Sequence, residues 1–309
     1  MSDLLNRMAR DLFLPPNSLR SLIQSAPMRY KVYSIPKRNG NGFRVIAQPT
    51  PAVKELQRWV ADRVLATYDV HRAATAYKKA SSILENATAH RNSRFLLKLD
   101  FENFFNSITS HDLLAFFDRK QVSFSDKDRQ LLCRILFWRR KNTPDLVMSI
   151  GAPSSPSLCN VLLYDFDVAV ATHCAAFGVT YTRYADDMTF SCDEPWRLRE
   201  IEQWVSRLLD GTASPRLRIN ASKTVHVSKK SSRRVTGLVL TNDGKVSLGR
   251  DRKRQLRAMV HRFITRGLPE DECASLRGWM AHVHAVEPSF TSRLKEIYGA
   301  ENLGRLGVK

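Results

Sequence analysis

The stretch that decides the fold is residues 179–192, VTYTRYADDMTFSC. β-Branched and aromatic residues precede the four central residues, Tyr184-Ala185-Asp186-Asp187, and apolar residues alternate with small polar ones after them. Two strand-like runs joined by a tight acidic turn predict a β-hairpin with Asp186 and Asp187 at its tip. Adjacent carboxylates repel each other unless a cation neutralises them. The tip is therefore either a seat for a hard divalent cation such as Mg²⁺ or an ordinary solvated turn.

A second acidic position lies upstream, at the end of the strand-like run FLLKLD, residues 95–100. If Asp100 and the hairpin tip lie on neighbouring strands, three carboxylates can hold two metal ions. Such ions lie about 3.5–4 Å apart and stabilise both the attacking and the leaving oxygen of an in-line displacement. The pattern therefore predicts nucleotidyl transfer.

Composition indicates the kind of partner. The chain has 309 residues, of which 49 are Lys or Arg and 30 are Asp or Glu, giving a formal net charge of +19. This excess favours a polyanion, and nucleic acid above all. Five scattered cysteines without a Cys-x-x-Cys pair argue against a zinc ribbon or a disulfide framework and predict a cytoplasmic protein. We expect no membrane span, because no run of about 18 apolar residues is present.

Periodicity and turn signals predict a mixed α+β chain. Helices are predicted over 18–25 with Asn17 as N-cap, 53–68, 81–89, 111–119, 127–138, 157–171, 196–209 and most of 249–309. Strands are predicted over 30–35, 43–48, 95–100, 179–183, 188–192, 217–219, 225–227, 235–240 and 245–248. The last helical region opens with a basic stretch that includes Arg252, Lys253 and Arg254. That stretch either follows nucleic-acid phosphates or is a solvated charged face.

Taken in order, these elements resemble the motifs of reverse transcriptases. The matches are Asp100 with Phe105 for motif A, GAPSSP at 151–156 with Asn160 for motif B, Tyr184–Asp187 for motif C and Lys223-Thr224 for motif D. Two further boxes, NATAH at 86–90 and VTG at 235–237, resemble those of bacterial retron reverse transcriptases. The resemblance runs from about residue 30 to about residue 250. One departure is Ile150, where many relatives carry Gln, which puts fidelity or nucleotide affinity in doubt but not the chemistry.

The resemblance implies roles around the acidic residues. Asp100, Asp186 and Asp187 would bind two Mg²⁺ ions, and Lys223 is either the general acid for the pyrophosphate or a surface lysine. Phe105 would lie beneath the sugar of the incoming nucleotide and exclude a ribose 2′-hydroxyl, unless it is an ordinary core aromatic.

Further roles fall on the residues around the centre. Lys37, Arg38 and Arg44 would clamp the triphosphate, although the sequence does not decide which of them makes contact. Gly151 would let the backbone approach the nucleotide closely. The remaining implied contacts are with the cognate RNA, through Asn86, His90, Val235, Thr236, Gly237, Arg252, Lys253 and Arg254; for the two boxes, a helix end and a strand are the alternatives.

The implied architecture is a right-hand polymerase. Its parts would be an N-terminal helical extension at 1–28, fingers at 29–94, a palm at 95–248 with a finger-like helical insertion at about 113–148, and a helical thumb at 249–309. The palm would be an antiparallel sheet backed by helices.

The implied function is RNA-directed DNA synthesis from deoxynucleotides on a structured non-coding RNA. The product would be a branched RNA–DNA molecule, msDNA, and a separate effector protein would serve antiphage defence. Three alternatives are an RNA-directed RNA polymerase, a group II intron maturase and an inactive RNA-binding scaffold. Phe105 and the short chain disfavour the RNA polymerase. The lack of room for extra DNA-binding or endonuclease segments disfavours the maturase, and the intact set of three aspartates disfavours the scaffold.

Overall fold

A computed structural model describes residues 3–37, 42–78, 81–141, 143 and 145–307. Helices and antiparallel sheets alternate along the chain, which confirms the predicted α+β class. The helices are α1 (Asp3–Asp11), α2 (Pro16–Ser25), α3 (Pro51–Arg63), α4 (Ile83–Ala89), α5 (Phe104–Ser107), α6 (Ser110–Arg119), α7 (Asp126–Leu136), α8 (Ser155–Leu162), α9 (Tyr164–Ala176), α10 (Pro195–Gly211), α11 (Arg250–Arg266), α12 (Glu270–Val286), α13 (Pro288–Tyr298) and α14 (Ala300–Gly304).

Within the described residues, the strands form four separate sheets. They are β1 (Tyr30–Pro36), β2 (Phe43–Pro49), β3 (Phe95–Asp100), β4 (Trp138–Arg139), β5 (Leu146–Val147), β6 (Thr180–Tyr184), β7 (Asp187–Cys192), β8 (Val225–Ser228), β9 (Arg233–Val235), β10 (Leu238–Leu240) and β11 (Val246–Ser247). In the described part of the chain, no helix is both long and apolar enough to cross a membrane.

The central sheet has the strand order β6-β7-β3-β8 with every pair antiparallel. Side chains alternate between the two faces of a strand. Leu97 and Leu99 of β3 accordingly join one hydrophobic core, whereas Leu96 joins another. Because both faces are covered, β3 is apolar along most of its length and has no polar alternation.

The two cores divide the chain unevenly. The first contains buried side chains from Leu4 to Leu217, and the second contains Ala87, Leu96 and residues from Val235 onwards. The small sheet β11-β10-β9 therefore packs with helices α11–α14 and with α4. The β1–β2 hairpin is attached to the body where the Ala47 amide donates to the carbonyl of Ile150 at 3.1 Å.

Some predicted bounds were wrong for local reasons. Helix α2 begins at Pro16, not Ser18, and Asn17 is not its N-cap; a proline is favoured in the first turn because its φ is already helical. Trp138 leaves the predicted helix and pairs with Val147 in a two-residue ribbon. The helix predicted over 157–171 is two helices, α8 and α9, which meet at Leu163 with φ −93° and ψ 7°.

Two predicted strands were also wrong. Residues 217–219 form no strand, and Ile219 makes only an isolated bridge to Phe101. Residues 235–240 contain the last residue of β9 and all of β10. A turn at Thr236 and Gly237, with φ of 47° and 86°, joins the two strands. The apolar character of this stretch concealed the turn, and the glycine was its only local signal.

Candidate active site

The three aspartates meet at one end of the central sheet. Asp100 lies directly opposite Asp187 in the β3–β7 register, and the Phe101 amide donates to the Asp186 carbonyl at 3.3 Å. Tyr184 pairs with Asp187 to close the β6–β7 hairpin, so Ala185 and Asp186 form its tip. The prediction that Asp100 and the acidic hairpin lie on neighbouring strands is confirmed.

The hairpin tip is held by a buried arginine. Ala185 has φ 58°, in the left-handed region that a residue with a Cβ rarely adopts. Its carbonyl accepts a hydrogen bond from Arg183 Nη1 at 3.0 Å. Arg183 is completely buried and forms a two-pronged pair with Asp167 of α9, with Nε–Oδ1 at 2.9 Å and Nη2–Oδ2 at 2.6 Å. This bidentate geometry fixes the guanidinium, and the guanidinium in turn fixes the tip.

The same pair joins the hairpin to α9 and to α8, the helix that carries Asn160 of the motif B resemblance. Tyr181 donates to Asp167 Oδ1 at 2.8 Å, and Arg183 Nη1 also donates to Asn160 Oδ1 at 3.3 Å. Neither Arg183 nor Asp167 is among the functional residues that the sequence predicts. The signal that could have identified Arg183 is its place in β6, where it is the one charged residue of a strand that leads into the acidic turn.

The carboxylates of Asp186 and Asp187 are partly buried and repel each other and Asp100. Burial, followed by the charge of Asp100, raises the pKa of Asp186. Burial also raises the pKa of Asp187 to about 6; Lys98 opposes this shift, while the charges of Asp186 and Asp100 and a hydrogen bond with Asp100 add to it. A bound cation would relieve this repulsion.

Lys223 supplies one cation to this end of the sheet. Its Nζ lies 2.7 Å from Asp100 Oδ1, and its side chain is about half exposed. The 3₁₀ turn that carries it, Ala221–Lys223, is anchored because the Asn220 amide donates to the Asp100 carbonyl at 2.8 Å. Among the residues that the structure describes, no three His, Cys, Asp or Glu side chains are already arranged to hold a metal ion. The donors are nevertheless carboxylate oxygens, the ligands that Mg²⁺ prefers, so the residues fit that ion chemically.

The β1–β2 hairpin carries basic residues, and one of them, Arg44, acts electrostatically on the aspartates. Arg44 is exposed on β2, and its charge lowers the pKa of Asp186, which places the two groups within electrostatic reach. Lys37 is exposed at the end of the described part of the hairpin, and its amide donates to the Gly42 carbonyl at 3.0 Å. Arg38, the third residue predicted to bind the triphosphate, lies outside the described residues.

Gly151 and Phe105 are the two remaining residues predicted to meet the nucleotide, and the structure shows what each of them contacts. Gly151 has φ 119°, and a Cβ there would lie 3.3 Å from the Ala47 carbonyl oxygen and 3.4 Å from Ile46 Cγ2. A glycine is therefore required for the close approach of this loop to β2. Phe105 is half-buried in α5, where its ring meets Phe104 edge-on with centroids 5.2 Å apart.

Asn86 and His90 lie behind the hairpin, not on the surface. His90 is completely buried, with Nδ1 2.8 Å from Ser191 Oγ and Nε2 2.8 Å from Thr182 Oγ1. Thr182 Oγ1 in turn donates to Asn86 Oδ1 at 2.5 Å. Since Thr182 uses its hydrogen on Asn86, His90 donates from Nε2 and accepts at Nδ1. Burial lowers the pKa of His90 to about 3, which keeps the ring neutral.

The expectation that both boxes recognise the cognate RNA stays a prediction, and the structure shows which of their residues are exposed. Asn86, His90 and Val235 are buried, so their side chains present no surface to an RNA in this conformation. Thr236 donates through Oγ1 to the Ile83 carbonyl at 3.2 Å, and only Gly237 of the second box is exposed. Helix α4 thus connects the turn between β9 and β10 to both strands of the acidic hairpin.

The basic face of α11 combines cations with aromatic rings. Arg252 lies over the Trp279 ring at 4.3 Å, and Lys253 is paired with Glu287 at 2.8 Å and lies 5.8 Å from the Phe290 centroid. A cavity of about 300 Å³ opens beside them, lined by Arg250, Lys253, Arg254, Arg257, Phe290 and Arg293. Five cations around one ring suit a polyanion with aromatic bases.

Comparison with known proteins places these features in one family. Residues 35–240 match the family "Reverse transcriptase (RNA-dependent DNA polymerase)". The chain is 41% identical over 285 residues to the retron Ec83 reverse transcriptase of Escherichia coli, covering 91% of each chain. It is 29% identical to the retron Ec86 reverse transcriptase of the same species, covering 97% of this chain and 92% of the relative.

One solved structure shows the fold. A foamy viral protease–reverse transcriptase in complex with double-stranded DNA matches with a TM-score of 0.52 and 15% identity. The match covers 90% of this chain and 42% of the viral one. Together with the family match, this likeness gives the chain a right-hand polymerase fold.

Proposed function

Because the chain belongs to the retron reverse transcriptases and is therefore an RNA-directed DNA polymerase, we propose that it copies a structured non-coding RNA that supplies both template and primer. The reaction starts from an internal guanosine 2′-hydroxyl and gives a branched msDNA. The observation that carries the proposal is the pairing of Asp100 with Asp187 beside Asp186 in a chain that is 41% identical to a retron enzyme. By the same likeness, the enzyme works with a separate effector protein in antiphage defence.

The proposed domains follow the right-hand plan. An extension at 1–28 precedes fingers at 29–94 and a palm at 95–248 with an insertion at about 113–148, and the thumb is 249–309. The sheet that carries the three aspartates supports the palm assignment, and helices α11–α14 support the thumb.

In the proposed mechanism, Asp100, Asp186 and Asp187 hold two Mg²⁺ ions. When bound, such ions lower the pKa of an attacking hydroxyl and neutralise the leaving pyrophosphate. Lys223, already within hydrogen-bond distance of Asp100, donates a proton to the pyrophosphate or steadies its charge. The protein otherwise positions its substrates, because phosphoryl transfer needs orientation and charge neutralisation more than a covalent nucleophile.

Other residues select and orient the nucleotide. Arg44 and Lys37, together with Arg38, bind the triphosphate from the fingers. The Phe105 ring excludes a ribose 2′-hydroxyl, and Gly151 keeps the loop that faces the nucleotide close to β2.

Two parts of the protein contribute to RNA binding in different ways. Arg252, Lys253 and Arg254 on α11 bind phosphates, supported by the cavity that five cations and Phe290 line. Asn86 and His90 act indirectly by holding the acidic hairpin, and Gly237 is the exposed residue of the second box that can meet RNA.

The test is DNA synthesis by the purified full-length protein on RNA transcribed from the sequence next to its own gene. With deoxynucleotides and Mg²⁺, we expect a product whose DNA is released only when a debranching enzyme cuts the 2′–5′ bond. The double variant Asp186→Asn/Asp187→Asn should make no DNA while binding the RNA with affinity within about twofold of wild type. Synthesis retained by that variant would refute the aspartate assignment, and a linear product would refute the priming.

A further inference from the structure

Tyr77 is a half-exposed aromatic residue in an unfavourable backbone conformation. Its φ is 60°, in the left-handed region, and 52% of the residue is exposed to solvent. Bulky side chains are rarely found there, because Cβ approaches the following carbonyl oxygen. A strained residue persists only where its surroundings impose it, and such residues concentrate at functional sites.

The acidic hairpin holds the segment that precedes Tyr77. The segment before Tyr77 runs beside β6, where the Arg183 amide donates to the Ala73 carbonyl at 2.7 Å and the Thr75 amide donates to the Arg183 carbonyl at 2.8 Å. Asn160 then donates through Nδ2 to the Ala76 carbonyl at 2.9 Å. Two hydrogen bonds with the hairpin and one from α8 thus fix the position of the segment that leads to Tyr77.

That place is the rim of the aspartate site. The Tyr77 and Tyr184 ring centroids are 6.5 Å apart and tilted by 34°. Burial raises the pKa of the Tyr77 hydroxyl to about 12, with further contributions from Asp186 and Tyr184 and an opposing one from Arg44. The ring therefore lies within electrostatic reach of both the acidic tip and the β1–β2 hairpin.

We propose that Tyr77 stacks on a nucleobase at the polymerisation site and positions it against the aspartates. The inference rests on the proposed function and extends it to a residue outside the motifs. Stacking on an aromatic face tolerates any base, as a polymerase requires. The base belongs either to the template–primer end or to the incoming deoxynucleotide, and the experiment separates these two sources.

The chain offers a matched control in Phe13. It is also an aromatic residue at positive φ, 55°, and is 94% exposed, but it lies in the connection between α1 and α2. Tyr77→Gly and Phe13→Gly both remove a ring and relieve the same backbone strain. Tyr77→Phe keeps the ring and removes only the hydroxyl.

The experiment uses the full-length protein with an oligo(dT)-primed poly(rA) template, which does not depend on the cognate RNA. Thermal melting, the Kd for template–primer and the KM for dTTP are measured for each variant. We expect Tyr77→Gly to melt at or above the wild-type temperature while one of the two constants rises about tenfold, the loss of one base stack. Tyr77→Phe and Phe13→Gly should keep both constants within about twofold of wild type.

Each outcome has one meaning. A higher Kd assigns the stacked base to the template–primer, and a higher KM with unchanged Kd assigns it to the incoming nucleotide. The proposal is overturned if both constants are unchanged in Tyr77→Gly. It is also overturned if Tyr77→Gly melts below wild type and Tyr77→Phe weakens binding by the same factor as Tyr77→Gly. If wild type makes no DNA, the proposed function fails. The role of Tyr77 is then still tested by the Kd for template–primer and by the binding affinity for dTTP, because neither requires DNA synthesis.

Discussion

The ammonium nitrogen of Lys223 lies 2.7 Å from Oδ1 of Asp100, so a residue of the 3₁₀ turn neutralises the aspartate at the end of β3. A metal ion bound by Asp100 has to share or displace this cation. The occupancy of the site by Mg²⁺ and the position of Lys223 are therefore linked.

Replacing Lys223 by Met should strengthen Mg²⁺ binding in the absence of substrate. A half-exposed ion pair is worth about 0.5–1 kcal/mol, which corresponds to about a two- to fivefold gain in affinity by titration calorimetry. DNA synthesis should fall, because the leaving pyrophosphate loses a proton donor. Lys127→Met, at an exposed position of α7, serves as the control. Equal Mg²⁺ affinities in Lys223→Met and wild type would contradict the competition.

Asp187→Asn should stabilise the metal-free protein at neutral pH while abolishing DNA synthesis. The folded-state pKa of about 6 lies above the ordinary value of 3.8, so the folded protein holds this proton more tightly and loses stability as pH rises from 4 to 7. We expect a gain of about 1–2 kcal/mol in the free energy of unfolding at pH 7, and none at pH 4. Urea unfolding at both pH values in chelator measures it, with the exposed Asp62→Asn as reference. Loss of stability at pH 7 would count against a repulsive acidic cluster.

His90 should make the protein sensitive to acid. Its folded-state pKa, about 3, lies below the ordinary value of 6.5, so the unfolded chain binds more protons between these limits and stability falls as pH drops below about 6.5. By pH 5 the loss should be about 2 kcal/mol. His90→Gln should lack this component, whereas the exposed His111→Gln should retain it. If His90→Gln and wild type lose the same stability between pH 7.5 and pH 5, the buried neutral ring is not responsible.

Removing Arg183 and Asp167 together should destabilise the protein less than removing either alone, but it should still impair DNA synthesis. Either Arg183→Met or Asp167→Leu leaves one buried charge without its partner and should cost about 3–5 kcal/mol. The double variant removes both charges and should recover most of this stability. DNA synthesis should stay low in the double variant, because the Ala185 carbonyl has lost its donor at the tip. Full activity in a stable double variant would mean that the guanidinium does not position the aspartates.

Phe105→Ala should admit ribonucleotides. The half-buried ring packs edge-on against Phe104, so its removal opens space beneath the sugar with limited loss of core packing. We expect the preference for dTTP over UTP, measured as a ratio of kcat/KM, to fall at least about tenfold, a change of about 1.4 kcal/mol. Phe104→Leu, in the buried neighbour, controls for a general loosening of α5. An unchanged ratio in Phe105→Ala would return Phe105 to the role of a core aromatic.

The sequence predicted the parts of the site that local chemistry specifies. Strand β3 was predicted with its observed bounds because an apolar run ends at Asp100, and the acidic hairpin because Ala185-Asp186 is a tight turn between two alternating runs. The order of motifs then predicted that both would share a sheet, and β3 does pair with β7.

The sequence could not supply what depends on distant partners. His90 meets Ser191 across 101 positions, and no periodicity in a seven-residue helix shows that this histidine is buried. The burial of His90 gives the box a contact with the hairpin that its sequence does not indicate. Likewise, the segment that leads to Tyr77 is held by hydrogen bonds with Arg183 and Asn160, which only the folded chain brings together.

Helix α4 touches both the turn at Thr236 and the strands of the acidic hairpin, and its Ala87 belongs to the same core as the C-terminal helices. Recombining two homologous enzymes at residue 248 would therefore cut through a shared interior and separate β9–β11 from the helices they pack against. A chimera that keeps this interior intact has to transplant residues 83–90 together with everything after residue 232. Engineers who graft the C-terminal helices alone should obtain chains that misassemble before their specificity can be read.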